Sequence, residues 1–400
     1  MKGISKSRKA YTWALALLPM LSLYGIQSIG IDIGTILVLL CLGTYMACNG
    51  KLIVRADFKC WYFYVMYILI SLFFPVIEGG TGGLTRSALI ARAVKNIIYI
   101  FILIVSTSGN VVEYNYYKKV YLFLAKLSSY YIILQAVFYY GLNWIIPGYI
   151  NKFLMVQEYG DRLSQKNFLM YRPTSLFYEP SHYFEFVVIA LIIYLFENRA
   201  ISRKNLIDAV IITAGILAST SGMGIITIVI IWALWIFHRL IRSYAKTMES
   251  RALFIIFIFL ISGIFFLQTG YAHSILNRLF TSDVNTYSAT DARTGVYREI
   301  LNEEIFDLVL GNGYGNVESN FYYPSWAFNL WCLGLIGTTI ILCIYIKYFI
   351  SCTRIDTKII LFVNAFLCIG TTLFMGKNML LYFTFIMLQA AEEKKCRINR

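Results

Sequence analysis

The sequence predicts an all-α, polytopic integral membrane protein with about twelve transmembrane helices, and three observations carry that prediction. Of its 400 residues 59% are apolar and 14% charged, with mean hydropathy +0.66; soluble domains are about half apolar and about a quarter charged. The apolar residues fall in runs near span length, separated by polar connections. Lys and Arg are concentrated in alternate connections, the pattern of topogenic charge. The chain therefore reads as one integral unit, 1–400, rather than a row of soluble domains.

The elements follow in order. Met1 to Lys9 is basic and 11–27 is apolar. No small-residue cleavage site follows and a second apolar run begins near Ile29, so the segment reads as an uncleaved first span. Further spans are expected at 32–48, 60–77, 89–106, 119–141, 182–196, 206–220, 222–237, 252–270, 321–346, 358–374 and 378–391. The pair split at Ser219-Thr220-Ser221-Gly222 and the final pair are short for the ~20 residues of a perpendicular crossing. They read as packed hairpins or half-helices.

Basic residues cluster at Lys51/Arg55/Lys59, Lys118/Lys119, Arg199/Arg203/Lys204, Arg239/Arg242/Lys246/Arg251 and Lys347/Arg354/Lys358, and at both termini. One side thus carries roughly twice the Lys and Arg of the other, which places both termini in the cytoplasm. The net charge of +14 is absorbed by topology, so no nucleic-acid partner is expected. Eight cysteines are scattered without a C-x-x-C pair, and D-x-D and G-x-x-x-x-G-K-[ST] motifs are absent. Neither a zinc site, a disulfide framework nor a metal-nucleotide enzyme is signalled, and no cofactor is expected. Two long polar segments, 142–181 and 271–320, lie on the opposite, outer side; connections beyond ~12–15 residues are uncommon and often functional.

The first outer segment ends in Tyr171-Arg172-Pro173-Thr174-Ser175-Leu176-Phe177-Tyr178-Glu179-Pro180-Ser181-His182. Ionisable groups are costly at a membrane boundary, so their crowding here marks a candidate site. Pro180 suits the first turn of a helix, and Glu179 then stands where a helix N-terminus favours negative charge. Glu179 is open to both readings, cap or functional carboxylate; Arg172 has no such local explanation.

The second outer segment carries Asp291, Arg293 and Arg298, an amphipathic stretch from Glu303 to Leu310, then Gly311-Asn312-Gly313-Tyr314-Gly315-Asn316, and re-enters the membrane after Asn320. The glycines allow either a plain turn or an anion-binding concavity of backbone N–H groups. Arg293 admits a structural pairing with Asp291 as its rival reading. In the fourth span Arg92 and Lys95 share one helix face at i, i+3, open to snorkelling or to lining a lateral entrance for lipid phosphates. Glu185, one turn beyond His182, is a candidate partner for them.

The run Arg172-Pro-Thr-Ser-Leu-Phe-Tyr-Glu-Pro-Ser181 resembles the R-x-x-S-x-F-x-E-P-S signature of Wzy-type O-antigen and capsule repeat-unit polymerases. The order Asp291-Ala-Arg293, amphipathic segment, G-x-G-x-G and a span with Gly334-Leu335-Ile336-Gly337 is similar to the second periplasmic loop of the polymerase/ligase superfamily. The resemblance implies a GT-C-like inverting glycosyltransferase of the bacterial inner membrane, working without a metal on the periplasmic face. Its donor and acceptor are undecaprenyl-pyrophosphate-linked oligosaccharides within the lipid bilayer, and a chain-length regulator is an implied partner.

By that resemblance Arg172 and Arg293 hold the donor pyrophosphate, the planar guanidinium fork matching phosphate oxygens. Arg298, Arg92 and Lys95 are assisting cations, and Ser175, Gly313, Gly315 and Asn320 further substrate-binding candidates. The acceptor base is Glu179 or His182, with Glu179 preferred. Ligases carry a histidine just before the re-entering helix, where this chain reads Glu318-Ser319-Asn320-Phe321, which favours polymerase over ligase. A flippase or secondary transporter for lipid-linked sugars is the rival from another class, although such folds place polar groups at the midplane and often repeat their halves.

Overall fold

The computed structural model describes residues 4–26, 31–49, 58–78, 85–108, 111–148, 171–197, 202–243, 291–318, 321–374 and 376–398. The expected span 252–270, residues 149–170 of the first outer segment and residues 271–290 and 319–320 of the second lie outside these residues. Among them the helices are α1 (Lys6–Leu21), α2 (Ile33–Asn49), α3 (Lys59–Glu78), α4 (Arg86–Thr107), α5 (Tyr114–Leu142), α6 (Pro180–Phe196), α7 (Arg203–Ala218), α8 (Gly222–Ser243), α9 (Asp291–Leu301), α10 (Ile305–Leu310), α11 (Ser325–Ser351), α12 (Ile355–Leu367) and α13 (Lys377–Ile398). Two-residue strands β1 (Gly25–Ile26) and β2 (Ile31–Asp32) pair antiparallel between α1 and α2.

The chain is an all-α membrane protein. Among the described residues five helices, α3, α4, α5, α8 and α11, are long and apolar enough to cross a membrane, and α2 and α6 are shorter apolar helices. Several expected boundaries shift. Helix α1 stops at Leu21, short of the expected 27, and the β1–β2 hairpin follows. The expected span 358–374 is helical only to Leu367; residues 368–374 leave the helix because Ser325 and Trp326 at the head of α11 donate their N–H groups to the carbonyls of Thr371 and Cys368.

Local chemistry sets the helix ends. Ser5, Thr85 and Ser202 cap α1, α4 and α7 by accepting the N–H groups of Arg8, Ala88 and Asn205. Asn143 ends α5 in the left-handed region at φ 51°. Asp32 accepts the N–H of Thr35 at 2.7 Å, two residues into α2.

Helix α6 is the axis of the bundle. Every residue from Tyr183 to Phe196 is buried, and α5, α7, α8, α12 and α13 pack around it. A helix apolar on all sides belongs inside protein, away from water. Lipid tails are as apolar as these side chains, so what keeps α6 central is close packing rather than escape from water. By contrast α3 leaves Phe63, Met66, Ile70 and Phe73 exposed along one stripe.

Helix α11 is broken at Gly334 (φ 59°, ψ −164°). The glycine run 311–316 docks into the break: Asn312 and Gly313 donate to the carbonyls of Trp331 and Cys332 at 2.8 and 3.0 Å. Trp331 Nε1 returns a bond to the carbonyl of Asn316 at 2.7 Å, and Tyr67 of α3 donates to that of Leu310 at 3.1 Å. A Cβ on Gly311 would meet the Cys332 backbone at 2.5 Å, and one on Gly313 would meet Pro75 at 2.3 Å. The contact leaves room for glycine alone.

Candidate functional site: a polar cluster at one end of the bundle

Among the described residues, groups of ionisable side chains stand at both ends of the helices. At one end Lys118, Glu197, Arg354 and Asp356 join in ion pairs, with Thr353 bonded to Glu393. At the other end, from β2, α4, α6, α9 and α13 and the turn between α7 and α8, the candidate residues gather.

The Arg172 motif divides between residues that anchor it and residues that carry ionisable groups. Ser175, fully buried at φ 56°, donates its N–H to Gln135 Oε1 at 2.8 Å and its hydroxyl to the Ser128 carbonyl at 2.7 Å. Phe177 packs against Phe186 at 5.1 Å, and Tyr171 stacks on Tyr139 at 4.3 Å. Burial beside Tyr131, Tyr139 and Tyr140 pushes the Tyr171 phenol up to about 12, so it stays a neutral ring. Ser175, expected at the substrate, thus spends its polar groups on fastening the strip to α5.

Held by these anchors, Arg172 donates from Nε to Thr220 Oγ1 at 3.2 Å. Thr220 sits at φ 55° in the α7–α8 turn, a conformation rare for a β-branched residue. Such strain persists only where the surroundings enforce it, and it concentrates at functional positions.

Glu179 is the N-cap of α6, extended at φ −132°, yet its side chain makes no cap bond. It accepts the Ser181 hydroxyl at 3.2 Å instead. His182 stacks on Tyr178 at 5.9 Å, and its Nδ1 is buried without a hydrogen-bond partner among the described residues.

Helix α9 turns Arg293 inward. Val296 and Ile300 are buried and Arg293 and Tyr297 half-buried on the same face, while Arg298 is exposed on the other. Arg298 therefore points away from the cluster it was expected to assist. Tyr297 donates to the carbonyl of Ile369 at 3.0 Å, and burial pushes its phenol up to about 12, which keeps that donor protonated. One turn earlier, Arg293 Cδ lies 3.9 Å from where a Cβ on Gly370 would stand, and Met223 of α8 lies 3.4 Å from the same point. No hydrogen bond or ion pair among the described residues engages the Arg293 guanidinium. Arg293 and Glu179 both act electrostatically on Glu185, and all three act on Tyr322.

The remaining expectations resolve differently. Glu185 is 3% exposed and accepts from Asn378 Nδ2 at 2.7 Å, not from Arg92 or Lys95. Arg92 donates to the carbonyl of Gly315 at 2.7 Å, and Lys95 stands 4.0 Å from Asp32. The N–H groups of Gly311, Asn312, Gly313, Asn316 and Val317 are all bonded to protein carbonyls. The glycine run is accordingly a docking loop rather than an anion-binding concavity, and Gly313 and Gly315 serve close approach. Asn320 lies outside the described residues.

Sequence reading missed Lys377, Asn378 and Asp32. Lys377 at the head of α13 carried a signal: Phe374-Met375-Gly376-Lys377-Asn378-Met379 puts an ammonium and an amide into an apolar run, which is functional by default in a membrane segment. Among the described residues no three His, Cys, Asp or Glu side chains are placed to hold a metal ion. The groups named at this end are the guanidiniums of Arg92, Arg172 and Arg293, the ammoniums of Lys95 and Lys377, the carboxylates of Asp32, Glu179 and Glu185 and the imidazole of His182, suited to charge stabilisation and proton transfer.

Fold and cluster together define an all-helical membrane protein with converging ionisable groups at one end of its bundle. No protein-family model matches the chain, and no curated protein matches its sequence.

Proposed function

We propose that the chain is an inverting glycosyltransferase that polymerises oligosaccharide repeat units carried on undecaprenyl pyrophosphate. One observation carries the reading: Arg172 and Arg293, from two separate outer segments, reach the same short stretch of chain. Arg172 bonds Thr220, and Arg293 lies beside Met223 across Gly370. A glycosyl diphosphate leaves readily only if its developing negative charge is stabilised, and paired guanidinium groups aimed at it do so. The growing glycan then leaves its carrier and joins the acceptor unit, with Glu179 taking the acceptor hydroxyl proton.

The same reading sets the surroundings. The membrane is the bacterial inner membrane, the site faces the periplasm, both termini are cytoplasmic, and about twelve helices form a GT-C-like bundle. Removing one charge-stabilising donor typically costs on the order of 10²–10³ in rate. Arg172→Ala and Arg293→Ala, in cells retaining the protein in their membranes, are expected to abolish polymer ladders on glycan electrophoresis while core bearing a single repeat unit persists. Full-length polymer from either variant refutes the reading. Bare core in a deletion strain points instead to a ligase.

A further inference from the structure

Among the described residues Lys377 has a single hydrogen-bond partner. Its ammonium bonds the hydroxyl of Ser22, and among the described residues no carboxylate lies within ion-pair distance of it. Lys377 is half-buried, and its ammonium carries three N–H donors, of which the bond to Ser22 uses one. The carboxylates that act on it electrostatically, Asp32 and Glu185, have other partners. Asp32 accepts from Thr35 N and Oγ1 at 2.7 and 2.9 Å and from Tyr99 at 2.8 Å, with Lys95 at 4.0 Å. Glu185 accepts from Asn378. His182 Nδ1, buried and unbonded among the described residues, lies within electrostatic reach of Lys377. Lys377 and Arg293 both act on Glu185, from α13 and α9.

We infer that Lys377 is a third cation of the headgroup site, where it binds a phosphate-bearing anion together with Arg293. The inference rests on the proposed function for the identity of the ligand and adds to it a residue outside both outer segments. An ammonium is a point charge that rotates its donors, so it complements the fixed fork of an arginine on the same diphosphate. Its place at the head of α13 adds the partial positive charge of a helix N-terminus.

The test is binding by the purified full-length protein in lipid nanodiscs, titrated with undecaprenyl pyrophosphate and separately with inorganic pyrophosphate. Lys377→Gln is expected to weaken binding about tenfold, the scale of one charge-assisted contact, with Lys377→Arg recovering most of it. Lys377→Met keeps the apolar stem and serves if the glutamine variant unfolds. The double variant Asp32→Asn, Lys377→Gln separates ligand binding from internal charge balance. Binding that stays weak supports the inference, and binding restored by removing Asp32 overturns it. Wild-type affinity in Lys377→Gln, beside loss of binding in Arg172→Ala and Arg293→Ala, overturns the role of Lys377 alone. No binding of either probe by the wild type overturns the proposed function as well. Lysine-dependent binding of the lipid only assigns the site to a lipid headgroup; binding of both probes assigns it to the anion itself.

Discussion

At the scale of single residues, the glycines of the docking loop differ in what they tolerate. Gly311 has φ 83°, and its Cβ would fall 2.5 Å from backbone atoms of α11 that cannot yield. Gly315 has φ 79°, but its nearest neighbour is the flexible Arg92 side chain at 3.3 Å. Gly311→Ala is therefore expected to cost on the order of 3 kcal/mol or more, combining strain and overlap, and Gly315→Ala about 1 kcal/mol. Unfolding midpoints in detergent should fall in that order, and equal losses would contradict the docked loop. Glu303 is a second case. Desolvation and its carboxylate neighbours Asp307, Glu318, Glu304 and Glu299 raise its pKa above the ordinary value. A carboxyl whose folded pKa is raised loses stability as pH climbs through the interval between its unfolded and folded values, and the loss persists above it. Glu303→Gln is expected to raise the midpoint at neutral pH and to lose that advantage in acid, below the ordinary carboxylate range. A constant difference across the titration would contradict the like-charge account.

At the scale of elements, α6 and α3 look alike in sequence, since both are apolar runs, yet one is interior and the other faces outward. Leu191 is 0% exposed and Ile70 57%. Leu191→Ala is expected to cost about 2–5 kcal/mol through the void it leaves, and Ile70→Ala well under 1 kcal/mol. Comparable losses would place α6 at the periphery. Hydropathy alone does not separate these helices, because lipid and protein interior select the same side chains. It did place most helices, and the break at Ser219–Gly222 falls where the residues foretell it. Helix ends decided by partners distant in sequence were not legible. The stop at Leu367 depends on N–H groups of Ser325 and Trp326 seeking carbonyls in the next segment. The site was half legible for the same reason. Arg172, Glu179 and Arg293 announce themselves as charges at a boundary, whereas the commitment of Ser175 to Ser128, the outward aim of Arg298 and the approach of Lys377 are set by packing.

At the scale of the whole molecule, the proposed orientation yields a topology prediction. Cys48 at the end of α2 and Cys396 near the end of α13 are exposed natural thiols, and the proposed orientation, read from positive charge, puts those helix ends in the cytoplasm. Intact cells treated with a membrane-impermeant thiol reagent should leave the wild-type protein unlabelled. Ser87→Cys, near the head of α4, should acquire label; labelling of the wild type at Cys396 would invert the assignment. The interrupted α11 has a consequence for biogenesis. Residues 311–316 leave the ribosome before α11 does, so the partners for its Trp331 and Cys332 carbonyls are at hand as that helix enters lipid. A circular permutant delivering them afterwards would carry two bare carbonyls into the bilayer, at a cost of several kcal/mol each. The order of synthesis thus matches the order in which the bonds are required.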